Sequence, residues 1–190
     1  MNTAKRTYHH GDLRNALLMT ALDTLVTEGL DKVTLRNIAK KTGVSQAAPY
    51  AHFKDKSALL VEVAAVGFSK LKYALSSELK ECESTEEYRY VLSNMGVAYV
   101  EFAIENKALF RLMFGDVIAE FPKSESYSIE ANAAFGCMEG AVQKISGVDF
   151  ASDSAWSIVH GLASLIVDNR IQVEGDLKTY IREVTKFLDI

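Results

Sequence analysis

Between Asp12 and Glu28 the apolar residues Leu13, Leu17, Leu18, Ala21, Leu22, Leu25 and Val26 return every three or four positions. Only an α-helix turns that spacing into one broad apolar face. The same period recurs along nearly the whole chain, and no sustained apolar-polar alternation replaces it. Two prolines and eleven scattered glycines in 190 residues leave too few turn signals for a β-sandwich or barrel, which needs one about every ten residues. The expectation is an all-α fold. Hydrophobic residues at 48% and charged ones at 24% are those of an ordinary globular chain, which argues against disorder and fibrous repeats. The length suits one large domain or a small domain joined to a larger one.

Capping residues divide the pattern into segments. The first helix stops at Gly29, a residue suited to a left-handed C-terminal cap. Thr34 opens a short helix from Leu35 to Lys41 with Ile38 and Ala39 inward, and Thr42-Gly43-Val44 breaks it. Ser45 is placed to cap a second short helix reaching Phe53, and Asp55 a long fourth helix from Lys56 toward Leu79. Two short helices joined by a three-residue turn containing Gly form the helix-turn-helix pattern.

Beyond Leu79 longer helices take over. Ser84-Thr85-Glu86-Glu87 reads as a capping box for a helix whose buried face is Tyr88, Val91, Leu92, Met95, Tyr99, Phe102 and Ala103. Asn106 is expected to cap a brief helix through Leu109, Phe110, Met113 and Phe114, and Gly115 to Ser124 reads as loop. Helices over roughly Ser126–Ile145, Asp153–Gln172 and Leu177–Leu188 bring the total to about nine. The second of these is apolar on nearly every face, through Trp156, Ile158, Val159, Leu162, Ala163, Leu165, Ile166 and Val167. Such a helix needs cover on both sides, the protomer's own core on one and a partner's copy on the other.

Several function classes fall away. Cys82 and Cys137 lack C-x-x-C spacing or a nearby His, so neither a disulfide framework nor a zinc site is expected, and no cofactor is implied. The polar start, Met1 to Asp12, does not read as a secretory signal, and no segment approaches the roughly 18 apolar residues of a membrane helix. A cytoplasmic protein without a membrane partner is expected. G-x-S-x-G, HExxH and P-loop signatures are missing, and three of the four histidines lie near the N-terminus, so an enzyme is not expected.

The net charge of −4 hides an asymmetry. Residues 1–60 carry nine Lys and Arg against five acids, whereas the remaining residues carry twelve against twenty. A positive end on a negative body is the footprint of one module that meets a polyanion, though solvated helix faces can also carry such an imbalance.

Residues 33–56 are the most informative stretch. A recognition helix enters the major groove by its N-terminal end, so residues just after Ser45 must be small and able to reach base edges. Gln46 can hydrogen-bond bases, while Ala47 and Ala48 permit close approach. Thr34, Ser45, Tyr50 and His52 offer hydroxyl or imidazole donors, and Lys56 stands at a helix N-terminus, where phosphate is favoured. Arg36, Lys40 and Lys41 suit either phosphate contact or a solvated face. Phe53, one turn from Tyr50, is expected in the core.

At this point the chain resembles the TetR family of transcriptional regulators. The match runs through Gly29, Thr34, Ile38, Ala39, Gly43, Val44, Ser45, Tyr50, His52, Phe53 and Lys56. Pro49 departs from it, since the family more often has Leu or another apolar residue there. Farther on, Trp156, His160 and Gly161 resemble the W-x-x-x-H-G pattern of one subgroup's C-terminal domain. The resemblance implies a helix-turn-helix DNA-binding domain over 1–55 and a ligand-sensing and dimerisation domain over 56–190. It also implies a homodimer joined through the last two helices, for which Leu162, Leu165, Ile166, Tyr180 and Val184 are the candidates, and release from double-stranded DNA by a small-molecule effector of unknown identity. Repression is the expected sign.

Two features keep two readings each. Lys5, Arg6, Tyr8, His9 and His10 suit either an arm in the minor groove or an unstructured terminus. Trp156 and His160, four apart on one helix face, either line a ligand pocket with Phe102, Phe110, Met113 and Phe114 or belong to the core. The competing function is an all-helical dimeric small-molecule-binding protein or enzyme with a vestigial helix-turn-helix.

Overall fold

The computed structural model describes residues 10–186, with side chains from residue 13. Of the proposed N-terminal arm, Lys5, Arg6, Tyr8 and His9 lie outside this range, as does Leu188, while His10 is the first residue of the first helix. The described residues fold into nine α-helices and two 3-10 turns, without a strand among them. In order they are α1 (His10–Glu28), a 3-10 turn (Leu30–Lys32), α2 (Leu35–Thr42), a second 3-10 turn (Ala48–Ala51), α3 (Lys56–Ser76), α4 (Thr85–Glu105) and α5 (Lys107–Phe114). Then follow α6 (Asp116–Ala119), α7 (Glu125–Gln143), α8 (Ala151–Val167) and α9 (Leu177–Thr185).

Most boundaries are set by the residues expected to set them. Thr34 accepts from the Asn37 N–H at 3.2 Å, Asp55 from Ala58 at 2.9 Å and Ser84 from Glu87 at 3.3 Å; Asp176, which was not foreseen as a cap, accepts from Thr179 at 2.8 Å at the start of α9. Each such cap satisfies a backbone donor that the first helical turn otherwise leaves open. Gly29 and Gly43 take positive φ, 88° and 77°, where a side chain would clash with its own backbone. Gly43 thereby closes α2 and turns the chain toward the second element of the helix-turn-helix.

That second element is not the α-helix expected from Ser45 to Phe53. It is one 3-10 turn over Ala48–Ala51, and the Ser45 side chain caps nothing there; its carbonyl accepts from the Ala48 N–H at 3.0 Å. Pro49 is the cause: it has no N–H to bond back to Ser45, and it biases Ala48 away from α geometry. Three smaller departures have equally local reasons. Asn106 turns back, its Nδ2 donating to the Phe102 carbonyl at 3.0 Å, so it ends α4 and makes no side-chain cap for α5. The Gly115–Ser124 segment contains the one-turn helix α6, anchored by Ile118 in the core. Helix α8 stops at Val167 because Asn169 adopts a left-handed φ of 54° and the Arg170 N–H bonds back to Leu165 at 2.8 Å, a Schellman-type ending.

One continuous core joins the reading head to the body. Leu17, Leu25, Ile38 and Phe53 of the head meet Leu59, Leu60 and Val63 of α3, which continues into Val100, Leu109, Met113 and Ile181. Val26, assigned above to the inner face of α1, is instead 60% exposed. At Gly67 a Cβ would stand 2.4 Å from the Met113 Sδ; the missing side chain lets α3 and α5 touch. Among the described residues no helix is long and apolar enough to cross a membrane.

Candidate nucleic-acid interface and ligand cavity

The head presents a compact surface built by two caps and a turn. Thr34 is half-buried at the start of α2, with its oxygen accepting from Asn37; Arg36 on the first turn is exposed. Ser45, Gln46 and Ala47 are all exposed where the chain approaches the 3-10 turn, and Tyr50 on that turn is 61% exposed. Pro49 and Phe53 point the other way and are buried. The turn thus divides its residues by face: apolar ones anchor it, polar ones face water.

Two of the predicted contact residues have other local roles. Lys56 is half-buried, and its Nζ donates to the Leu30 carbonyl at 3.3 Å, tying the start of α3 to the loop after α1. His52 is half-buried and lines a small cleft of about 170 Å³ between head and body, with Arg14, Phe53, Glu62, Lys123 and Ser124. Lys41 pairs with Glu28, whereas Lys40 is exposed.

Glu62, on α3, closes this cleft. Arg14 Nη2 of α1 donates to its carboxylate at 2.7 Å, and Ser126 Oγ at the start of α7 donates at 3.0 Å. Burial alone would raise the Glu62 pKa, but hydrogen bonds from Arg14, Ser124 and Ser126, with the Arg14 charge, hold it below its ordinary value. One carboxylate therefore touches the head, α3 and the body at once. Sequence reasoning missed it, because the three partners lie 48 and more positions away.

The body encloses a cavity of about 670 Å³, within the range of small-molecule sites. Helix α3 contributes Phe68, Leu71 and Leu75; α4 contributes Met95 and Tyr99; α5 ends in it with Phe114; α7 adds Tyr127 and Phe135; α8 adds Trp156 and Val159. Its aromatic rings form a connected wall. Phe68 meets Phe114 and Tyr127 edge-on at 5.3 and 5.2 Å, and Trp156 meets Phe135 edge-on at 5.5 Å, the preferred arrangement of ring quadrupoles.

Of the six ligand candidates, Phe114 and Trp156 line this cavity. Phe102, Phe110 and Met113 are at most 5% exposed and fill the core beside it. His160 stands behind the wall, its Nδ1 2.9 Å from the Tyr99 hydroxyl and its ring 4.6 Å from that of Phe114. Burial pushes its pKa down. Trp156 therefore faces the cavity, and His160 is half-buried beside it with Tyr99 as its polar neighbour. Tyr99, Phe68, Tyr127 and Phe135 were not foreseen; periodicity placed Tyr99 inward without showing that empty space lay beside it.

Among the proposed interface residues, Leu165 is 43% exposed, while Ile166, Tyr180 and Val184 are half-buried against the protomer's own core. Leu162 is 5% exposed and belongs to that core. The outer side of α8 carries Ile158, Gly161 and Leu165, and nothing lies within 4 Å of where a Gly161 Cβ would be.

A helix-turn-helix head joined through α3 to a larger helical body defines a class of DNA-binding transcription regulator. The family model described as bacterial regulatory proteins, tetR family, matches residues 17–63. That described as tetracyclin repressor-like, C-terminal domain, matches residues 92–188. The chain belongs to the tetR family. It is 47% identical over 47 residues to the tetracycline repressor protein class C of Escherichia coli, a match covering 25% of this chain and 22% of that repressor. It therefore spans about a fifth of that protein. An uncharacterized HTH-type transcriptional regulator of Bacillus subtilis, YobS, is 24% identical over 150 residues, 79% of this chain and 76% of that one. A solved protein of unknown function from Rhodococcus sp. RHA1 is similar throughout, with a TM-score of 0.77 and 30% identity over 96% of this chain and 94% of its own.

Proposed function

We propose that the protein is a ligand-responsive transcription regulator that binds a pseudopalindromic operator as a homodimer, acts as a repressor in the cytoplasm, and leaves the operator when a small molecule occupies the cavity. The observation that carries this reading is α3. Asp55 caps it inside the head, and Phe68, Leu71 and Leu75 of the same helix line the cavity. A ligand that fits only a rearranged cavity displaces this helix and with it the head, weakening operator binding by its differential affinity for the two arrangements.

In this reading residues 1–55 form the DNA-binding unit and 56–190 the sensing and dimerisation unit. Gln46 and Ala47 read base edges. Thr34, Arg36, Ser45, Tyr50, His52 and Lys56 hold phosphates, and His52 does so from the margin of the head-body cleft. The short 3-10 turn presents this surface with less helical length than an α-helix would. Trp156, His160 and Gly161 mark a subgroup in which the aromatic and the histidine support the cavity wall while the glycine opens the outer face of α8.

The test is a pull-down of genomic fragments with the purified protein at two salt concentrations, followed by anisotropy on the enriched sequence. A pseudopalindrome is expected, with affinity falling steeply as salt rises. Lys56→Ala should weaken binding to all sequences and lower the salt slope by about one unit. Gln46→Ala should relax sequence preference, worth about 1–3 kcal/mol at the position it reads. No enrichment at low salt would remove the regulator reading and favour a small-molecule-binding protein with a vestigial head.

A further inference from the structure

A chain of hydrogen bonds runs from Trp156 and Tyr99 on one wall of the cavity to His160 and Ser164 behind it. Trp156 Nε1 lies 3.3 Å from Tyr99 Oη, Tyr99 Oη lies 2.9 Å from His160 Nδ1, and His160 Nε2 lies 3.4 Å from Ser164 Oγ. An indole N–H can only donate, so Tyr99 accepts from Trp156. Burial lowers the His160 pKa and raises that of Tyr99, so both are neutral at neutral pH. Neutral imidazole has two tautomers: with hydrogen on Nε2, His160 accepts the phenol proton at Nδ1 and donates to Ser164, and with hydrogen on Nδ1 both bonds reverse.

With hydrogen on Nε2 the protons of Trp156 Nε1, Tyr99 Oη and His160 are all spent. What is left over is one acceptor site on the oxygen of Tyr99, a residue of the cavity wall. The other uncharged hydroxyls do not discriminate: Tyr127 and Ser93 can each donate or accept, and Thr185 spends its proton on the Ile181 carbonyl at 2.9 Å. The charged lining residues Glu86, Arg89, Asp153 and Lys186 are exposed, whereas the interior is aromatic and aliphatic. An ionised ligand would find no buried counter-charge inside.

We propose that His160 holds its hydrogen on Nε2, that the cavity therefore selects an uncharged aromatic molecule carrying a hydroxyl or N–H donor, and that Tyr99 Oη is the group that reads this donor. The proposal rests on the cavity's being the effector site and adds the chemistry it selects. A ligand that keeps its oxygen but loses its proton, such as a methyl ether, presents a lone pair to a lone pair and is rejected.

The experiment compares 4-phenylphenol with its methyl ether on the full-length protein. Binding is followed by calorimetry and by the fluorescence of Trp156, the single tryptophan of the chain and part of the cavity wall. The phenol should bind about ten-fold more tightly than the ether. In Tyr99→Phe the ratio should fall to about one. That variant also leaves Trp156 and His160 without their partner; if it does not fold, Trp156→Phe, read by calorimetry, keeps Tyr99 and should keep the preference. Equal binding of phenol and ether, or binding of neither, overturns the proposal. Operator release measured on the same samples separates it from the function it rests on. Equal binding with release removes only the donor selection, and selective binding without release removes only the effector role.

Discussion

His160 has two hydrogen-bond neighbours, Tyr99 and Ser164, and its ring lies among Phe110, Phe114 and Trp156. None of these carries a charge at neutral pH, so nothing local favours the imidazolium, and desolvation lowers the pKa. The sign of the consequence is fixed by linkage. Above the ordinary histidine value of about 6.5 both folded and unfolded chains hold the ring neutral, and the native arrangement keeps its full advantage. As pH falls below that value the unfolded chain takes up the proton first, and stability declines until the native ring titrates too. Urea unfolding at pH 7.5 and 5.5 should show a lower midpoint at the acid end. His160→Asn, which can still accept from Tyr99, should flatten that difference; an unchanged slope would mean that another group governs it. Losses through Glu62 belong to a separate, more acidic window, since its native pKa lies below the ordinary carboxylate value.

At the scale of single elements, the 3-10 turn over Ala48–Ala51 is where local chemistry departs most from expectation. Pro49→Leu restores an N–H at a buried position and keeps apolar volume there. The expected result is an α-type bond from residue 49 to the Ser45 carbonyl and a longer second helix, seen as slowed amide exchange across 46–53 and altered operator preference. Unchanged exchange would show that the surrounding packing, not the proline, holds the turn short. The same physics explains what could be read in advance. Caps at Thr34, Asp55 and Ser84 act within three residues, so a sequence displays donor and acceptor together. Asn106 was misread because its amide serves the helix behind it equally well. Helix α6 was missed because four residues carry no period. The cavity was only partly legible for a different reason: Phe102, Phe110 and Phe114 share the same helical spacing logic, and whether each fills space or borders it is decided by six helices packing together.

On the scale of the molecule, one face remains unaccounted for by a single copy. Helix α8 is apolar on nearly every face, yet only Ala151, Ala155, Val159, Leu162, Ala163 and Val167 are buried within the protomer. The opposite side presents Ile158, Gly161 and Leu165, spaced as one stripe, with the small Gly161 open to a close approach. Apolar residues placed around a glycine suit helix packing against an identical helix, and about a two-fold axis Leu165 would lie near its own copy. Such a two-fold would also answer a need of the other end. A head whose reading element is a single turn contacts few bases, and two such heads would reach successive major grooves about 34 to 36 Å apart. Leu165→Arg sets like charges against each other across that axis and touches neither cavity nor head. Sedimentation velocity should show a monomer with unchanged helical circular dichroism, and operator affinity should fall by about a hundred-fold or more as the two half-sites cease to be linked. A variant that stays dimeric would move the interface off this stripe, while a monomer that binds the full operator as tightly as before would separate dimerisation from DNA recognition.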